Sequence, residues 1–383
     1  MFFNIFANSI IEPGMSGGNK IFIELAKRAP RGFKIRIFTS DVGKSICQEN
    51  DLKAEYIVWK LPFYQARFNP FVQFLLYLTA TFAGIKNAFT HDFYGQILYS
   101  SSDYWPDSLP ALAAKLKNKK AKWIAGFYLF APKPWAKDNP YRGFKKMLSF
   151  LFWLSQGLIF MATRKWSDML WVTSEDDKKK IKGPTTIVAR GGVDANILGK
   201  IKTREKQYEA VFIGRLHPQK GAVELIKIWN NVVKKMPRAK LAIIGDGPLI
   251  NNLRSMIKRL KLKKNVYLLG FLGGEEKIKV FKSSRIVLHP AIYDSGGMAA
   301  AEAMACGLPA VSFDLPALKD YYPQGAIKVK CFNLCAFSTA ILKLLQDKNE
   351  YKNLQKEAVI LGKEWDWDKQ AKKLWKQLEE KFL

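Results

Sequence analysis

The feature that most constrains this chain is an alternation of short apolar runs with helical segments. The runs lie at Phe2–Ala7, Lys34–Thr39, Tyr56–Trp59, Gln96–Ser100, Lys122–Ala125, Met169–Thr173 and Thr186–Ala189, and helical stretches separate several of them. Strands of this length alternating with helices predict a parallel sheet covered on both faces. The pattern then restarts. Strands are expected at Glu209–Ile213, Leu241–Ile244, Val266–Leu269, Ile286–His289 and Ala310–Phe313, with helices at Ala222–Met236 and Leu249–Leu260. Two successive doubly wound α/β units of Rossmann-like type follow, which 383 residues are long enough to build. The polar stretch Asp194–Arg204 marks the boundary, giving domains at 1–195 and 196–364 and a helical segment over 365–383.

Charge narrows the partners. Lys and Arg number 62 against 33 Asp and Glu, a net charge of +29. Such a surface attracts phosphorylated substrates, anionic membrane or nucleic acid. The basic residues are dispersed through helices without a recognition motif, so nucleic acid is not expected as a partner. The four cysteines are too scattered for a disulfide framework and fit a reducing cytoplasm. MFFNIFANSIIEPG lacks a basic leader and reads as a first core strand. Met147–Thr163 is almost free of charge and bracketed by Lys145, Lys146, Arg164 and Lys165. It is at the low edge of a membrane span, and Ser149, Ser155, Gln156 and Gly157 weaken it, so a buried or interfacial helix is expected. Phe71–Phe82 is a second aromatic-rich, charge-poor segment. Both suggest peripheral attachment to an anionic membrane.

Three phrases in the second half carry chemistry, each at a strand end, where doubly wound sheets bind ligands. In Gly214-Arg215-Leu216-His217-Pro218-Gln219-Lys220-Gly221, two cations stand beside a helix start, an arrangement suited to a diphosphate. Gly245-Asp246-Gly247-Pro248 is a tight turn that lets a ligand approach the backbone. The sharpest phrase runs from Asp294 through Gly296, Gly297, Met298 and Glu302 to Met304-Ala305-Cys306-Gly307-Leu308-Pro309. The first amides of its helix, near Gly296–Met298, can bind an anion. Asp294 precedes the helix, where a carboxylate can hold sugar hydroxyls. Glu302 is expected to face inward among alanines, where a carboxylate wants a polar partner such as a ribose diol.

Here the chain resembles the family 4 retaining glycosyltransferases, which carry an acidic residue, seven intervening residues, a Glu, and a Met-Ala-Cys-Gly-Leu-Pro-like phrase. The pair in this chain is Asp294 and Glu302. The Gly-Arg…Lys-Gly phrase, the Gly-Asp-Gly-Pro turn and Gly270-Phe271 appear in the family's order, so the resemblance is strong from Tyr208 to Phe313. It extends more weakly through Gly17-Gly18, Trp166-Ser167-Asp168 and Arg190-Gly191-Gly192-Val193-Asp194. It implies a GT-B fold, with two Rossmann-like domains facing across a cleft and a last helix, after Trp365-Asp366-Trp367, crossing back to the first domain. It implies that Arg215 and Lys220 hold the diphosphate of a UDP- or GDP-linked donor, assisted by the amides at Gly297 and Met298. Glu302 would bind ribose, Asp294 the transferred sugar, and Gly270 and Phe271 would lie beside the base. Gly214, Gly245 and Gly296 would line the donor site, and the acceptor, expected to be a lipid-linked sugar or glycan, would enter past Gly17 and Gly18. Transfer would retain configuration by front-face attack, with no cofactor and no essential metal. The protein would work in the cytoplasm, peripherally on the inner membrane face. The chain departs from the family in having Asp294 where many members have Glu, and Gly126-Phe127-Tyr128 where many have His.

A sugar-nucleotide epimerase of similar fold, or a basic binding protein without catalysis, are the competing readings. None of His91, His217 and His289 is expected to be catalytic.

Overall fold

The computed structural model describes the chain except for residues 13, 63–68, 137, 138, 140, 142, 195–197, 199, 200 and 202–204, and the side chains of Pro70, Phe144, Lys145 and Leu148. The chain divides into two compact units. The first comprises Met1–Ala136, Gly143–Gly191 and Asp368–Leu383, and the second Lys137–Arg142 and Gly192–Trp367. The division falls at Gly191 and Gly192, just ahead of the expected Asp194–Arg204 stretch, most of which lies outside the described residues.

The first unit holds strands β1 (Phe2–Ala7), β2 (Lys34–Ser40), β3 (Glu55–Trp59), β4 (Ile97–Ser100), β5 (Lys122–Gly126), β6 (Met169–Val172) and β7 (Thr185–Val188). They form a seven-stranded parallel sheet in the order β3-β2-β1-β4-β5-β6-β7. Helices α1 (Gly17–Lys27), α2 (Asp41–Glu49), α3 (Pro70–Thr90), α4 (Trp105–Lys117), α5 (Phe144–Trp166) and α6 (Glu175–Lys180) connect them. In the second unit β8 (Tyr208–Ile213), β9 (Leu241–Ile244), β10 (Val266–Gly270), β11 (Ser284–His289), β12 (Ala310–Phe313) and β13 (Ala326–Val329) form a parallel sheet in the order β10-β9-β8-β11-β12-β13. Its helices are α7 (Ala222–Lys235), α8 (Ile250–Arg259), α9 (Gly274–Lys282), α10 (Met298–Ala305), α11 (Pro316–Tyr321), α12 (Leu334–Gln346) and α13 (Lys348–Glu364), and α14 (Trp367–Phe382) ends the chain.

Both sheets are buried on two faces, which is why their strands read as continuous apolar runs rather than alternating ones. β4, β6, β9 and β12 are buried at every position. The chain enters the second unit at Val193 and leaves it at Trp365–Trp367, and the two passages are hydrogen-bonded side by side: Val193 N donates to Trp365 O at 2.7 Å and Trp367 N to Val193 O at 3.1 Å. Beyond them α14 belongs to the first unit. There Trp375 packs against Phe3 and Phe33, and its Nε1 donates to Leu25 O at 3.0 Å.

Each sheet reverses its strand order once, between β1 and β4 in the first unit and between β8 and β11 in the second. Loops leaving the two strands at such a point diverge and leave a crevice at the carboxyl edge. Met147–Thr163 lies within α5, but its apolar side chains are not simply buried: Met147, Leu151, Leu154, Leu158 and Met161 are exposed. Among the described residues, no helix is long and apolar enough to cross a membrane.

Candidate active site

The site in the second unit is built where β8 and β11 part. Leaving β8, the chain passes Gly214 and Arg215 into a 3₁₀ turn, Pro218–Lys220, and enters α7 after Gly221. His217, not expected to be catalytic, caps the turn: its Nδ1 accepts from Gln219 N at 3.3 Å. The loop leaving β11 is stitched to this turn, because Ile292 N and Tyr293 N both donate to Gln219 O, at 3.0 and 3.3 Å. Gly221 makes the junction possible. Its φ is +67°, and a Cβ there would stand 1.8 Å from Pro290 O.

This stitching brings Lys220 to Asp294. Nζ lies 2.6 Å from Oδ2, with the aspartate side chain 6% exposed and the lysine 28%. His289, the last residue of β11, places Nε2 3.1 Å from the same oxygen, off the line a donated proton would take. The other carboxylate oxygen accepts from Ser295 N at 2.8 Å. Burial works against the charge on Asp294, but Lys220 and His289 outweigh it and hold the carboxyl well below its ordinary range. The result is an anchored anion beside a half-exposed cation.

The neighbouring strand ends close in around this pair. Gly214 and Gly245 touch backbone to backbone: a Cβ on Gly245 would stand 2.0 Å from Gly214 O, and Gly214 N donates to Ile244 O at 3.1 Å. Gly245 N in turn donates to Gly270 O at 2.7 Å, so the turns after β8, β9 and β10 form one hydrogen-bonded edge. Phe271, next along, is 76% exposed. Arg215 is exposed on the same edge as Lys220. Tyr141, carried into this unit by Lys137–Arg142, sets its ring edge-on to His217 at 6.2 Å. Burial pushes the Tyr141 hydroxyl up, and the Arg215 charge pulls the other way.

Gly297, at φ +61°, turns the chain into α10. A Cβ there would strike the Tyr322 hydroxyl, which donates to Gly297 O. A Cβ on Gly296 would stand 2.4 Å from the Tyr321 ring, and Met298 opens the helix, whose first amides lack partners one turn back. The expectation for Glu302 needs correction. It does not point into an apolar setting without a partner; its side chain is 25% exposed and Oε2 pairs with Lys277 Nζ of α9 at 2.7 Å. Its small neighbours Ala300, Ala301 and Ala303 are the buried ones.

Gly17 and Gly18 belong to the first unit, where they open α1 behind the cap Ser16. A Cβ on Gly18 would meet the Tyr128 ring at 3.3 Å. Tyr128 is 8% exposed and its hydroxyl is hydrogen-bonded to Tyr99. Next to them the loop after β4 and the first turn of α4 hold two carboxylates that sequence reasoning passed over, Asp103 and Asp107. Asp107 accepts from Ser9 N and Oγ, both at 2.8 Å, and from Ser101 Oγ at 3.1 Å. Asp103 accepts from Gln156 Nε2 of α5 at 2.8 Å. Burial pushes each of them up to about 6. The phrase Ser101-Ser102-Asp103 directly after a strand was the available signal. His289 and Tyr141 left none, because their partners are set by loops that fold back.

Residues 194–379 match the sequence model of the family described as Glycosyl transferases group 1. An uncharacterised glycosyltransferase of Methanocaldococcus jannaschii is 31% identical over 200 residues, 47% of this chain and 47% of that protein. The phosphatidylinositol N-acetylglucosaminyltransferase GPI3 subunit of Saccharomyces cerevisiae is 26% identical over 182 residues, 45% of this chain and 39% of that protein. The chain thus spans less than half the length of these curated relatives. Anabaena HepE, crystallised with UDP and glucose, superposes with a TM-score of 0.73 at 15% identity, over 99% of this chain and all of that one. The two parallel sheets and these relationships agree: the chain has the GT-B fold, and its residues 194–379 are similar to the group 1 glycosyltransferases.

Proposed function

We propose that this protein is a retaining glycosyltransferase that moves a hexose-type sugar from a UDP- or GDP-linked donor to a lipid-linked or glycan acceptor in cell-envelope glycan or glycolipid synthesis. The observation that carries the proposal is the Lys220–Asp294 pair, 2.6 Å apart at the strand-order reversal of the second unit, with Arg215 on the same edge. The relatives lend support: the Anabaena structure holds UDP and glucose, and the yeast relative is named for transfer to phosphatidylinositol.

In this reading Arg215 and Lys220 take the donor diphosphate, and the amides at Gly297 and Met298 assist. Phe271 offers an exposed ring to the base, and Gly214, Gly245, Gly270 and Gly296 let the donor lie close to the backbone. Glu302 takes the ribose hydroxyls while keeping Lys277. Asp294, fixed by Lys220 and His289, presents its remaining acceptor capacity to the sugar. The bond between the anomeric carbon and the diphosphate oxygen breaks, and the acceptor oxygen bonds to that carbon on the same face. The acceptor proton passes to the departing phosphate oxygen. Positioning and electrostatic stabilisation of the leaving diphosphate supply most of the rate, and the two cations perform that work without a metal or a resident cofactor. Gly17 and Gly18, at the carboxyl edge of the first sheet, border the acceptor. With a net charge of +29, the protein attaches peripherally to the cytoplasmic membrane face.

The test is incubation with UDP- and GDP-hexoses and a membrane lipid extract, followed by mass spectrometry and NMR of the product. An acceptor heavier by one hexose, joined with the donor's anomeric configuration, supports the proposal. Donor converted to an isomer or to free sugar with equal speed in the absence of acceptor would point to an epimerase instead.

A further inference from the structure

The first unit carries two helices that bury a few apolar side chains, Leu76 and Ile159 among them, but turn most of their large ones outward. On α5, Ser149, Gln156 and Thr163 are buried at seven-residue spacing, while Met147, Leu151, Leu154, Leu158 and Met161 form the outward stripe. Gln156 explains the inward face: it accepts from Ala131 N at 2.6 Å and donates to Asp103 and to Leu129 O at 2.8 and 2.9 Å. On α3 one large side chain, Leu76, is buried, together with Ala80, Thr81, Gly84 and Ala88, and a Cβ on Gly84 would stand 2.6 Å from Pro110 of α4. The large residues Phe71, Phe74, Phe82 and Phe89 point outward and are 57–69% exposed. A helix in water presents the reverse pattern.

The two faces are connected. Tyr104, itself 42% exposed, lies 6.3 Å ring to ring from Tyr77 of α3 and 6.0 Å from Phe152 of α5. The charges on these helices have one sign. Neither contains Asp or Glu, and exposed Lys86, Lys146, Arg164 and Lys165 flank the apolar side chains. Glu12, bonded to Gln73 of α3, places a carboxylate at one end of this face, and an apolar face bordered mainly by cations matches an apolar interior beneath anionic headgroups.

We infer that the outward faces of α3 and α5 dock shallowly into an anionic phospholipid bilayer. The inference rests on the membrane-attached reading above and assigns the surface that performs the attachment. Gln156 links this surface to Asp103 at the carboxyl edge of the first sheet, so docking brings lipid headgroups toward the edge that carries Gly17 and Gly18.

The experiment is flotation of the whole protein with phosphatidylglycerol-rich and pure phosphatidylcholine vesicles at low and high salt. It is run on the wild type and on a triple variant, Phe82→Ser, Leu151→Ser and Leu158→Ser, whose side chains already face outward. The wild type should float with the anionic vesicles, and less so as salt rises. The triple variant should need about tenfold more lipid, or worse, for half-maximal flotation. Equal flotation of variant and wild type would overturn the inference, as would a wild type that stays down with anionic vesicles at low salt. Light scattering that shows a wild-type dimer, converted to monomer by the triple substitution, would instead assign the face to a second copy. A nucleotide-sugar thermal shift, measured on both proteins, reports separately on the glycosyltransferase reading. It should be the same in wild type and variant whichever way the flotation falls.

Discussion

Replacing Lys220 by Ala separates two roles that the structure combines in one side chain. Lys220 is the counter-ion of Asp294, whose side chain is 6% exposed, and it also faces the proposed diphosphate. Removing one partner of a fully buried pair costs about 3–5 kcal/mol. Here the lysine is 28% exposed, so water can reach the vacated position, and His289 remains 3.1 Å from the carboxylate. A loss of about 1–3 kcal/mol is therefore expected, which lowers Tm by roughly 3–10 °C for a unit of this size. Activity should fall further: losing one preformed contact to developing charge lowers kcat by about 10²–10³-fold, with KM for the donor changing little. The double variant Lys220→Ala/Asp294→Asn removes the stranded charge. It should recover most of the lost Tm while kcat stays low. Asp294→Asn alone, which keeps the lysine, calibrates the loss owed to Asp294 itself. Calorimetry and steady-state kinetics on the four proteins complete the cycle. If the double variant regains kcat to within about tenfold of wild type, Lys220 serves only to neutralise Asp294 and the argument for its contact with the donor fails.

Three further outcomes are expected. Glu302→Gln should raise donor KM about tenfold with little change in kcat, because a ribose contact is made equally in ground and transition states; a fall in kcat at constant KM would contradict this. Activity should persist after EDTA treatment, and complete loss restored by manganese or magnesium would show that the two cations do not do the electrostatic work. Burial pushes Asp107 up to about 6 against the opposing hydrogen bonds from Ser102 and Ser9. The native state therefore binds this proton more tightly than the unfolded chain, whose Asp titrates near about 4, and between those values this group's contribution to stability declines as pH rises. Asp107→Asn removes that slope, so its stability relative to wild type, measured by urea unfolding, should improve by about 1–3 kcal/mol from pH 4 to pH 7; an unchanged difference would refute the assignment.

Several elements were legible in the sequence for a simple reason. β1, β9 and β12 are buried on both faces, so their apolar runs stand out and their ends fall where expected. β13 was not foreseen, because Ala326–Val329 contains Lys328 and sits at the sheet edge, paired with β12 alone. The Gly-Arg…Lys-Gly and Asp294–Glu302 phrases marked the β8–β11 edge, because a strand end followed by glycines is a local pattern. What those residues touch was not local. Asp294 meets Lys220 only through the hydrogen bonds from Ile292 and Tyr293 to Gln219, and Glu302 meets Lys277 of α9 across the sheet edge. On α5 the charge-poor apolar stretch was visible, but the direction its side chains face depends on what Gln156 finds to bind inside.

The central claim is that the β8–β11 edge of the second unit holds a nucleotide-sugar, and ligand-induced stabilisation tests it directly. Melting the protein with UDP-, GDP- and ADP-sugars at about a hundred times Kd should stabilise it by about 2.7 kcal/mol with the right donor. That is a shift of roughly 5–10 °C, which Arg215→Ala/Lys220→Ala should abolish. No shift with any of these sugars, or an undiminished shift in the double variant, would contradict the account.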